Sequence, residues 1–251
     1  MTPARPPQEA RRLTPARNGR KPVASIATGP ARIRDPQQTR EKILRVATLE
    51  FAARGYDGAR IDGIVARCGI SKNLLYHYYA GKEELFLRVM ERAYAAMRMR
   101  QNDIAMLGHD PVADMRALVV HMVMHFAEQP EFIALLATEN IHMARHIRRS
   151  TAICHMYNPL KATIQRLLVE GQRQGVFRAD VDWVDLYVSI SGMASYFVSN
   201  RHTLSFVLGV DLAKPGRLKR RIEHVPDMVI AYLCAKPPAP LRAVTGKPRR
   251  R

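Results

Sequence analysis

A short run of polar side chains has the residue types needed to recognise a nucleic acid. Lys72, Asn73, Tyr76 and His77 share one face of a predicted helix, because residues three and four apart lie on the same side of an α-helix. Lysine and tyrosine donate hydrogen bonds to phosphate oxygens, and asparagine can make a bidentate pair with adenine in the DNA major groove. The pattern predicts a short helix that contacts double-stranded DNA.

Local signals on both sides of this run predict the elements that position it. Gly69 suits a tight turn, because it lacks the Cβ that disfavours a left-handed backbone. Ser71 is a natural N-cap for the next helix, and Leu75 and Tyr79 give that helix a buried side. A preceding helix has an apolar stripe at spacings of three and four, made of Ile61, Ile64, Val65 and Cys68. Together these signals predict a helix-turn-helix.

The flanking segments extend the pattern. Thr39–Arg54 is predicted to be an amphipathic helix with Ile43, Ala47 and Phe51 spaced by four, and Gly55 ends it. The run GYDG follows this helix, and the later runs are CGISKNLLYHYY and GKEEL. In this order the motifs resemble the N-terminal domain of the TetR family of transcriptional regulators.

The resemblance implies which residues contact DNA. These are Arg60, Ser71, Lys72, Asn73, Tyr76, His77, Tyr78 and Lys82. Lys72, Asn73 and Tyr76 are expected to meet base edges or the adjacent backbone, and the others mainly phosphates.

Four residues depart from the family pattern. Ser or Thr commonly caps the second helix where this chain has Ala59 and Arg60, so that cap is lost here. Asn73 replaces a frequent glycine and can add base readout. Tyr78 stands where the family has histidine, so only its hydroxyl could serve as the phosphate contact.

The formal net charge of +18 is concentrated at the two ends. Residues 1–35 hold eight Arg and Lys against two acids, and residues 236–251 hold six and no acid. Both ends have too few large apolar residues to offset ordering entropy, so both are predicted to be disordered. Either they attract DNA non-specifically or they are solvated tails without a task. Between them we predict a DNA-binding domain, 36–81, and a second domain, 82–235.

The second domain has helical periodicity nearly throughout, and no alternating strand pattern recurs. The predicted fold is therefore all-α. The resemblance assigns this domain to ligand binding and dimerisation.

Two late segments have faces suited to helix pairing. A helix over 182–200 has a small-residue face of Ser189, Gly192, Ser195 and Ser199. A later seam consists of Leu218, Ile222, Val225, Val229 and Tyr232. Each face suits either a subunit interface or ordinary intrachain core. The resemblance favours a homodimer, which would place two reading helices on successive major grooves of a palindromic operator.

Softly polar residues in the middle helices are candidates for binding a small-molecule effector. They are His121, His125, Asn140, His142, Met143, Tyr157 and Tyr187. Such groups fix a ligand's orientation in a mostly apolar pocket, and methionine can reshape around it. Each one singly also fits a structural role.

Two pairs of histidines spaced by four suggest an alternative. His121 with His125, and His142 with His146, would each face the same way on a helix and could share a metal. No Glu follows the first His of either pair, so the metalloprotease signature is absent. A metal-sensing regulator or a helical metal-dependent protein stays open as the alternative. Otherwise we predict no cofactor, no metal and no enzymatic activity.

Other sequence features exclude several classes of protein. The three cysteines form no C-x-x-C pair, which fits a reducing cytoplasm. Val181–Val198 is apolar but is interrupted by Asp182 and Asp185, so it is not predicted to span a membrane. No signal peptide is predicted. The leading hypothesis is a cytoplasmic, ligand-responsive repressor, and a non-specific DNA binder driven by the basic ends is a further alternative.

Overall fold

Helices make up the part of the chain that a computed structural model describes, residues 35–102 and 110–235. Within it there are ten α-helices and no strand. In chain order they are α1 (Pro36–Gly58), α2 (Ile61–Cys68), α3 (Lys72–Tyr78), α4 (Lys82–Asn102), α5 (Pro111–Glu128), α6 (Pro130–Ile141), α7 (Thr151–Arg173), α8 (Trp183–Ser199), α9 (Arg201–Leu208) and α10 (Pro215–Cys234). The all-α prediction is confirmed. Except for Asp35, the two predicted basic ends lie outside the described residues.

Helix α1 supports the small N-terminal domain. Its stripe of Ile43, Ala47 and Phe51 is fully buried. The helix is broken at Gly55, where φ is 67° and ψ is 179°. A residue with a Cβ is strained at this φ, so glycine lets the chain turn toward α2. The predicted end of α1 at Gly55 is confirmed.

The larger domain is built around α5. This helix packs against α8 and α10, while α4 packs against α7, and α1 of the small domain packs against α6. Asp110 begins α5 by accepting a hydrogen bond from the Val112 amide at 2.9 Å. Met115, Leu118 and Met122 of α5 are buried in the centre of this packing.

Two prolines lie inside continuous helices. A proline inside a helix favours a kink or a break. Helix α7 continues through Pro159 and α10 continues through Pro226, so neither helix is broken there. Proline in a helix interior costs about 3 kcal/mol. Burial of apolar side chains on both sides of each proline offsets that cost. Tertiary packing therefore outweighs the local signal.

The predicted seam on α10 is partly internal. Val225 and Val229 are buried, and α10 packs on α5. Met228 and Tyr232 on the same helix remain about half exposed. The intrachain interpretation therefore holds for the two valines. Among the described helices, none is long and apolar enough to cross a membrane.

Candidate DNA-binding surface and regulatory core

Helix α3 is held at its start and along one side. The Ser71 Oγ accepts a hydrogen bond from the Leu74 amide at 3.2 Å, which caps the helix as predicted. Leu75 is fully buried and Tyr79 is nearly so. This attachment leaves the opposite face of α3 in solvent.

The turn before α3 has the backbone that its glycine permits. Gly69 has φ 62° and ψ 40°, a left-handed conformation. Its amide donates to the Ala66 carbonyl at 3.1 Å, and the Ile70 amide donates to the Val65 carbonyl at 3.2 Å. These bonds satisfy the last carbonyls of α2 and fix the angle at which α3 leaves it.

Helix α2 is capped by a residue from another helix. No side chain at Arg60 caps it, which confirms that the usual local cap is lost. Instead Glu50 of α1, which is buried, accepts the Arg60 amide at 3.4 Å. The same carboxylate also pairs with Arg54 at 3.2 Å and Arg67 at 3.5 Å. Sequence reasoning missed Glu50, because a cap that comes from ten residues away has no local signature.

The predicted reading face of α3 is exposed. Asn73, His77 and Tyr76 point to solvent, and Tyr76 is 43% exposed. The Lys72 ammonium lies 2.9 Å from Asp62 of α2. This hydrogen bond raises the pKa of Lys72, so the side chain is charged at neutral pH. The face therefore offers a cation, an amide, a phenol and an imidazole side by side.

Two of the predicted phosphate contacts also hold the domain together. The Lys82 ammonium donates to the Asp57 carbonyl at 3.1 Å and lies 4.9 Å from the centre of the Tyr56 ring. Tyr78 is half buried, with the Arg40 guanidinium 5.4 Å from its ring centre. Tyr78 is the last residue of α3, and Lys82 is the first residue of α4.

Comparison with known proteins agrees with this geometry. Residues 43–89 match the family described as bacterial regulatory proteins, tetR family, and residues 111–229 match the tetracyclin repressor-like C-terminal domain. The HTH-type transcriptional repressor NicS of Pseudomonas putida is 32% identical over 202 residues, which span 80% of this chain and 95% of NicS. The chain belongs to the TetR family. As a TetR-family protein it is a DNA-binding regulator of transcription and not an enzyme.

Further relatives agree with the assignment to the TetR family. The HTH-type transcriptional repressor SCO4008 of Streptomyces coelicolor is 30% identical over 165 residues, covering 66% of this chain and 81% of that protein. The crystal structure of the putative transcriptional regulator SCO4942 of Streptomyces coelicolor superimposes with a TM-score of 0.57 at 27% identity, over 76% of this chain and 97% of that one. The ketosteroid transcriptional regulator KstR2 of Mycobacterium tuberculosis has a TM-score of 0.61 at 19% identity, over 78% and 95% of the two chains, and so shares the fold.

A segment of this TetR-family regulator, residues 139–150, leads from the end of α6 to the start of α7 and is called the connector here. Glu139 and His146 are both almost completely buried, and the His146 Nδ1 donates to a Glu139 carboxylate oxygen at 2.7 Å. The other carboxylate oxygen accepts the backbone amides of His146 at 2.7 Å and Ile147 at 3.0 Å. By accepting these three hydrogen bonds, the Glu139 carboxylate holds His146 and Ile147 close to the end of α6.

The same histidine packs on the DNA-binding domain. The His146 ring centre lies 4.3 Å from that of Tyr56 and 4.9 Å from that of Phe86. His142 also contacts the Tyr56 ring, at 5.6 Å, and its Nε2 lies 3.5 Å from an Asp57 carboxylate oxygen. One side of the connector is therefore in direct contact with the turn that leads into α2.

Three further features give the connector a defined shape. Met143 and Ala144 have φ of 53° and 60°, which is unusual for residues other than glycine. Arg149 pairs with Glu83 of α4 at 2.8 Å. The Ser150 hydroxyl donates to Glu91 of α4 at 2.6 Å and caps α7. With the packing of His146 on Phe86, the connector thus contacts α4 at three places as well as the turn that leads into α2.

A cluster of three tyrosines and an arginine lies among α4, α7 and α8. The Tyr187 hydroxyl is 3.4 Å from that of Tyr157, and the Arg98 guanidinium lies 3.9 Å from the Tyr157 ring centre. Tyr94 is buried, and its ring centre lies 5.8 Å from that of Tyr157. Two of the predicted ligand residues, Tyr157 and Tyr187, are thus brought together, with Tyr94 and Arg98 that the sequence did not single out.

The other predicted ligand residues lie elsewhere. Asn140 is exposed and donates to the Leu136 carbonyl of its own helix at 2.8 Å, and Met143 is 78% exposed. His142 belongs to the connector. His125 is buried beside Phe132, at 5.8 Å between ring centres, and the half-buried His121 lies one turn away. The seven residues therefore divide among the tyrosine cluster, the connector and α5.

Neither histidine pair belongs to a group of three potential metal ligands in the described part of the chain. The ring centres are 6.5 Å apart for His121 and His125, and 5.5 Å apart for His142 and His146. Over residues 35–102 and 110–235, no three His, Cys, Asp or Glu side chains converge as metal ligands. The metal-dependent alternative therefore has no ligand set among these residues.

A cavity of about 280 Å³ lies between α1 and helices α4 to α6. It is lined by charged side chains, including Arg45, Arg92 and Glu131, and by buried apolar ones, including Phe132 and Leu135. His125 is the one predicted ligand residue that lines it. The cavity lies where the DNA-binding domain rests on the larger domain.

Proposed function

We propose that this protein is a homodimeric repressor that binds a palindromic operator through α3 and is released by a small-molecule effector. The observation that carries the proposal is the exposed face of α3, where Lys72, Asn73, Tyr76 and His77 stand free of the core. Two relatives of similar length and sequence carry the name repressor. The assignment to repression rests on them.

The residues on α3 have distinct roles in this proposal. Asn73, near the start of the helix, pairs with a base edge in each half-site, and Lys72 and Tyr76 read adjacent groups. Arg60, Ser71 and His77 surround them and bind phosphates. When the protein binds DNA, the Lys72 ammonium leaves Asp62 and contacts the DNA instead. Tyr78 and Lys82 add phosphate contacts from positions that the protein has already ordered, so they lose little side-chain entropy on binding.

Helix α8 supplies the dimer interface in this proposal. Its outward face carries Val188, 60% exposed, and Tyr196, 57% exposed, with Ser189 and Gly192 between them. A Cβ added at Gly192 meets no atom within 4 Å in the single chain. Gly192→Leu therefore has space in the monomer and would weaken only a close contact with a second subunit. Sedimentation of this variant beside the unchanged protein tests the interface.

The connector transmits the ligand signal in this proposal. An effector that binds the larger domain can shift the equilibrium between the DNA-binding and the released arrangement of the protein. It does so only if it binds one of the two arrangements more tightly than the other. Glu139 and His146 join the end of α6 to Tyr56 and Phe86, so a displacement of α6 reaches the helix-turn-helix without passing along α4 alone. We place this regulator in the cytoplasm, together with its DNA.

The proposed function can be tested by selection of genomic DNA fragments. The purified protein is mixed with fragments at about 0.15 M salt, where non-specific binding is screened, and bound DNA is sequenced. Enrichment of one inverted repeat is the expected result. Uniform recovery without a motif would contradict sequence-specific regulation and favour a non-specific binder. Enrichment of a single half-site would contradict the dimer.

A further inference from the structure

We propose that the cavity between α1 and helices α4 to α6 binds a small zwitterion, a molecule with an ammonium, a carboxylate and an apolar body, and that such molecules are the effectors. The juxtaposition that carries this inference is Arg45 of α1 and Glu131 of α6, two opposite charges that line one cavity without pairing with each other. The inference rests on the proposed ligand response, because it names the site and the ligand class for that response.

The α1 side of the cavity carries an arginine that can bind an anion. Arg45 is exposed, and among the described residues no hydrogen bond or ion pair holds its guanidinium. The second arginine of the cavity, Arg92 of α4, already lies 3.5 Å from a carboxylate oxygen of Glu41. A guanidinium presents donors in a planar fork that matches the two oxygens of a carboxylate. Arg45 therefore supplies the anion-binding end of the cavity.

The α6 side of the cavity carries a carboxylate that can bind a cation. Glu131 is half buried in the first turn of α6, and among the described residues none donates a hydrogen bond to its side chain or forms an ion pair with it. A half-buried carboxylate has lost part of its water, so a cation that donates hydrogen bonds to it is favoured. The side-chain amide of Gln129 lines the same cavity, and its carbonyl can accept from an ammonium as well. Glu131 therefore supplies the cation-binding end.

The two charges together disfavour a ligand that carries only one charge. An anion is attracted by Arg45 and repelled by Glu131, and a cation meets the reverse. A zwitterion pairs with both residues, so both charges of the cavity are compensated at once. Like charges at close range cost binding free energy, which makes the cavity selective against singly charged analogues.

The rest of the cavity suits a compact apolar group. Phe132 and Leu135 are buried and line it, and Ala93 and Ala96 of α4 have short side chains that leave space. Leu49 of α1 also lines it and is 41% exposed, so a ligand that covers Leu49 removes apolar surface from water. The volume of about 280 Å³ is near the lower end for ligand pockets, which span about 300–1,000 Å³. This size suits a molecule about as large as one apolar amino acid.

A ligand in this cavity would join the two domains directly. Arg45 and Leu49 belong to α1 of the DNA-binding domain, and Glu131 and Phe132 belong to α6 of the larger domain. Helices α1 and α6 already pack against each other. A zwitterion that pairs with both helices binds most tightly where they keep this spacing, so it favours one arrangement of the domains over others. This difference in affinity is what an effector requires.

The test compares each zwitterion with two analogues that lack one charge. Calorimetry on the full chain without DNA would use L-phenylalanine beside 3-phenylpropanoate, which lacks the ammonium, and 2-phenylethylamine, which lacks the carboxylate. L-Leucine with 4-methylpentanoate and 3-methylbutylamine forms a second set. A third set, with the charges further apart, is 4-(aminomethyl)benzoate with 4-methylbenzoate and benzylamine.

The expected result is that at least one zwitterion binds at least about tenfold more tightly than both of its analogues, because each analogue loses a charge-assisted hydrogen bond and keeps the repulsion. No binding of any zwitterion would overturn the inference. An analogue that binds as tightly as its zwitterion in every set would overturn it as well.

Two substitutions locate the two charges. Glu131→Gln keeps the shape of the side chain and removes its charge, so the zwitterion and its analogue without the ammonium should then bind within about twofold of each other. Arg45→Gln should in the same way remove the preference for the carboxylate. Neither side chain is buried, so both variants are expected to fold. A variant that keeps the full preference of the unchanged protein would contradict the site.

Control variants separate the cavity from the general surface charge. Glu223→Gln and Arg217→Gln on α10 make the same chemical changes at exposed positions outside the cavity, and they should leave every affinity unchanged. Ala96→Phe fills the cavity from an exposed position of α4 and should abolish binding of the zwitterion. Unchanged binding in Ala96→Phe, or equal losses in the α10 controls, would overturn the inference.

The outcome is separable from that of the proposed function. Operator selection is carried out without any of these ligands. A protein that selects an operator but binds no zwitterion through Arg45 and Glu131 would retain the proposed function and contradict this inference. A protein that binds a zwitterion there but selects no DNA motif would do the reverse.

Discussion

The helix-turn-helix and the connector use similar residue types in opposite ways. On α3, Tyr76 and His77 face solvent, and the polar atoms of that face are available to another molecule. In the connector, His146 is 1% exposed and its Nδ1 is bound to Glu139. An exposed hydrogen-bond donor costs the protein little free energy, because water can pair with it. A buried donor destabilises the fold unless another group of the protein accepts its hydrogen bond. The comparison indicates that a histidine or tyrosine suggests binding only once its exposure is known.

The difference predicts how each region responds to mutation. Substitutions on the α3 face should change DNA binding and leave stability nearly intact. Substitutions in the connector should cost stability first, because each polar group there leaves others buried and unpaired when it is removed. Measurements of unfolding and of DNA binding on the same variants test this division.

The largest expected effect is at Glu139. Glu139→Ala removes the acceptor of three hydrogen bonds and leaves the His146 side chain and two backbone amides unsatisfied. Breaking a buried pair of this kind costs about 3–5 kcal/mol in free energy of unfolding. Urea denaturation measures it. Glu223→Ala, at an exposed position of α10, is the control and should change stability by no more than about 0.5 kcal/mol. A loss as small as the control's would mean that the connector is not rigid.

The next largest effect is on DNA discrimination at Asn73. Asn73→Ala should lose about 1–3 kcal/mol of preference at one base position in each half-site, because the bidentate amide is gone. Its urea midpoint should stay unchanged, because the side chain is exposed. Binding to operator variants at that position measures the change, and Asn158→Ala on α7 is the matched control. A preference equal to that of the unchanged protein would exclude Asn73 from base reading.

A smaller effect is expected at the cap of α3. Ser71→Ala removes the acceptor of the Leu74 amide and should cost about 1 kcal/mol of stability. Ser71→Thr keeps an acceptor oxygen and should cost less. Unfolding curves of both variants measure the difference. If both lose the same stability, the Oγ bond is not what holds the start of α3.

The smallest effect concerns the ion pair on the reading face. Asp62→Asn removes the partner of Lys72 and a negative charge close to the DNA-facing surface. The pair is exposed, so the urea midpoint should barely change. DNA binding should become several-fold tighter, because Lys72 no longer has to break its ion pair with Asp62 before it contacts DNA. The effect should be clearest at low salt, where charges are screened least. Weaker binding in the variant would mean that Asp62 positions Lys72 for its contact.

The helix-turn-helix was predictable because the sequence signals for its turn, its helix cap and its buried side are local. Gly69, Ser71 and Leu75 lie within seven residues, and each acts on its immediate neighbours. Glu50 could not be predicted in this way, since its role as the cap of α2 depends on how α1 crosses that helix. The same holds for Pro226, whose helix continues because it packs on α5.

The candidate ligand residues show the opposite case. Seven residues were chosen by type, and they do not lie together in the structure. Tyr157 and Tyr187 are in contact with each other, whereas His142 and Met143 belong to the connector. Arg98 is one of many arginines in a basic chain, and no spacing distinguishes it. Its burial against Tyr157 depends on how α4, α7 and α8 pack together.

The sequence by itself determined that this protein is all-helical, that it carries a helix-turn-helix, and which face of α3 is polar. Periodicity, capping and turn preferences act over a few residues, so a linear sequence displays them directly. The tertiary structure alone decided which polar groups are satisfied internally and which remain available. That distinction depends on burial and on partners distant in the chain, as for Glu139 with His146 beside Tyr56, and Arg98 against Tyr157.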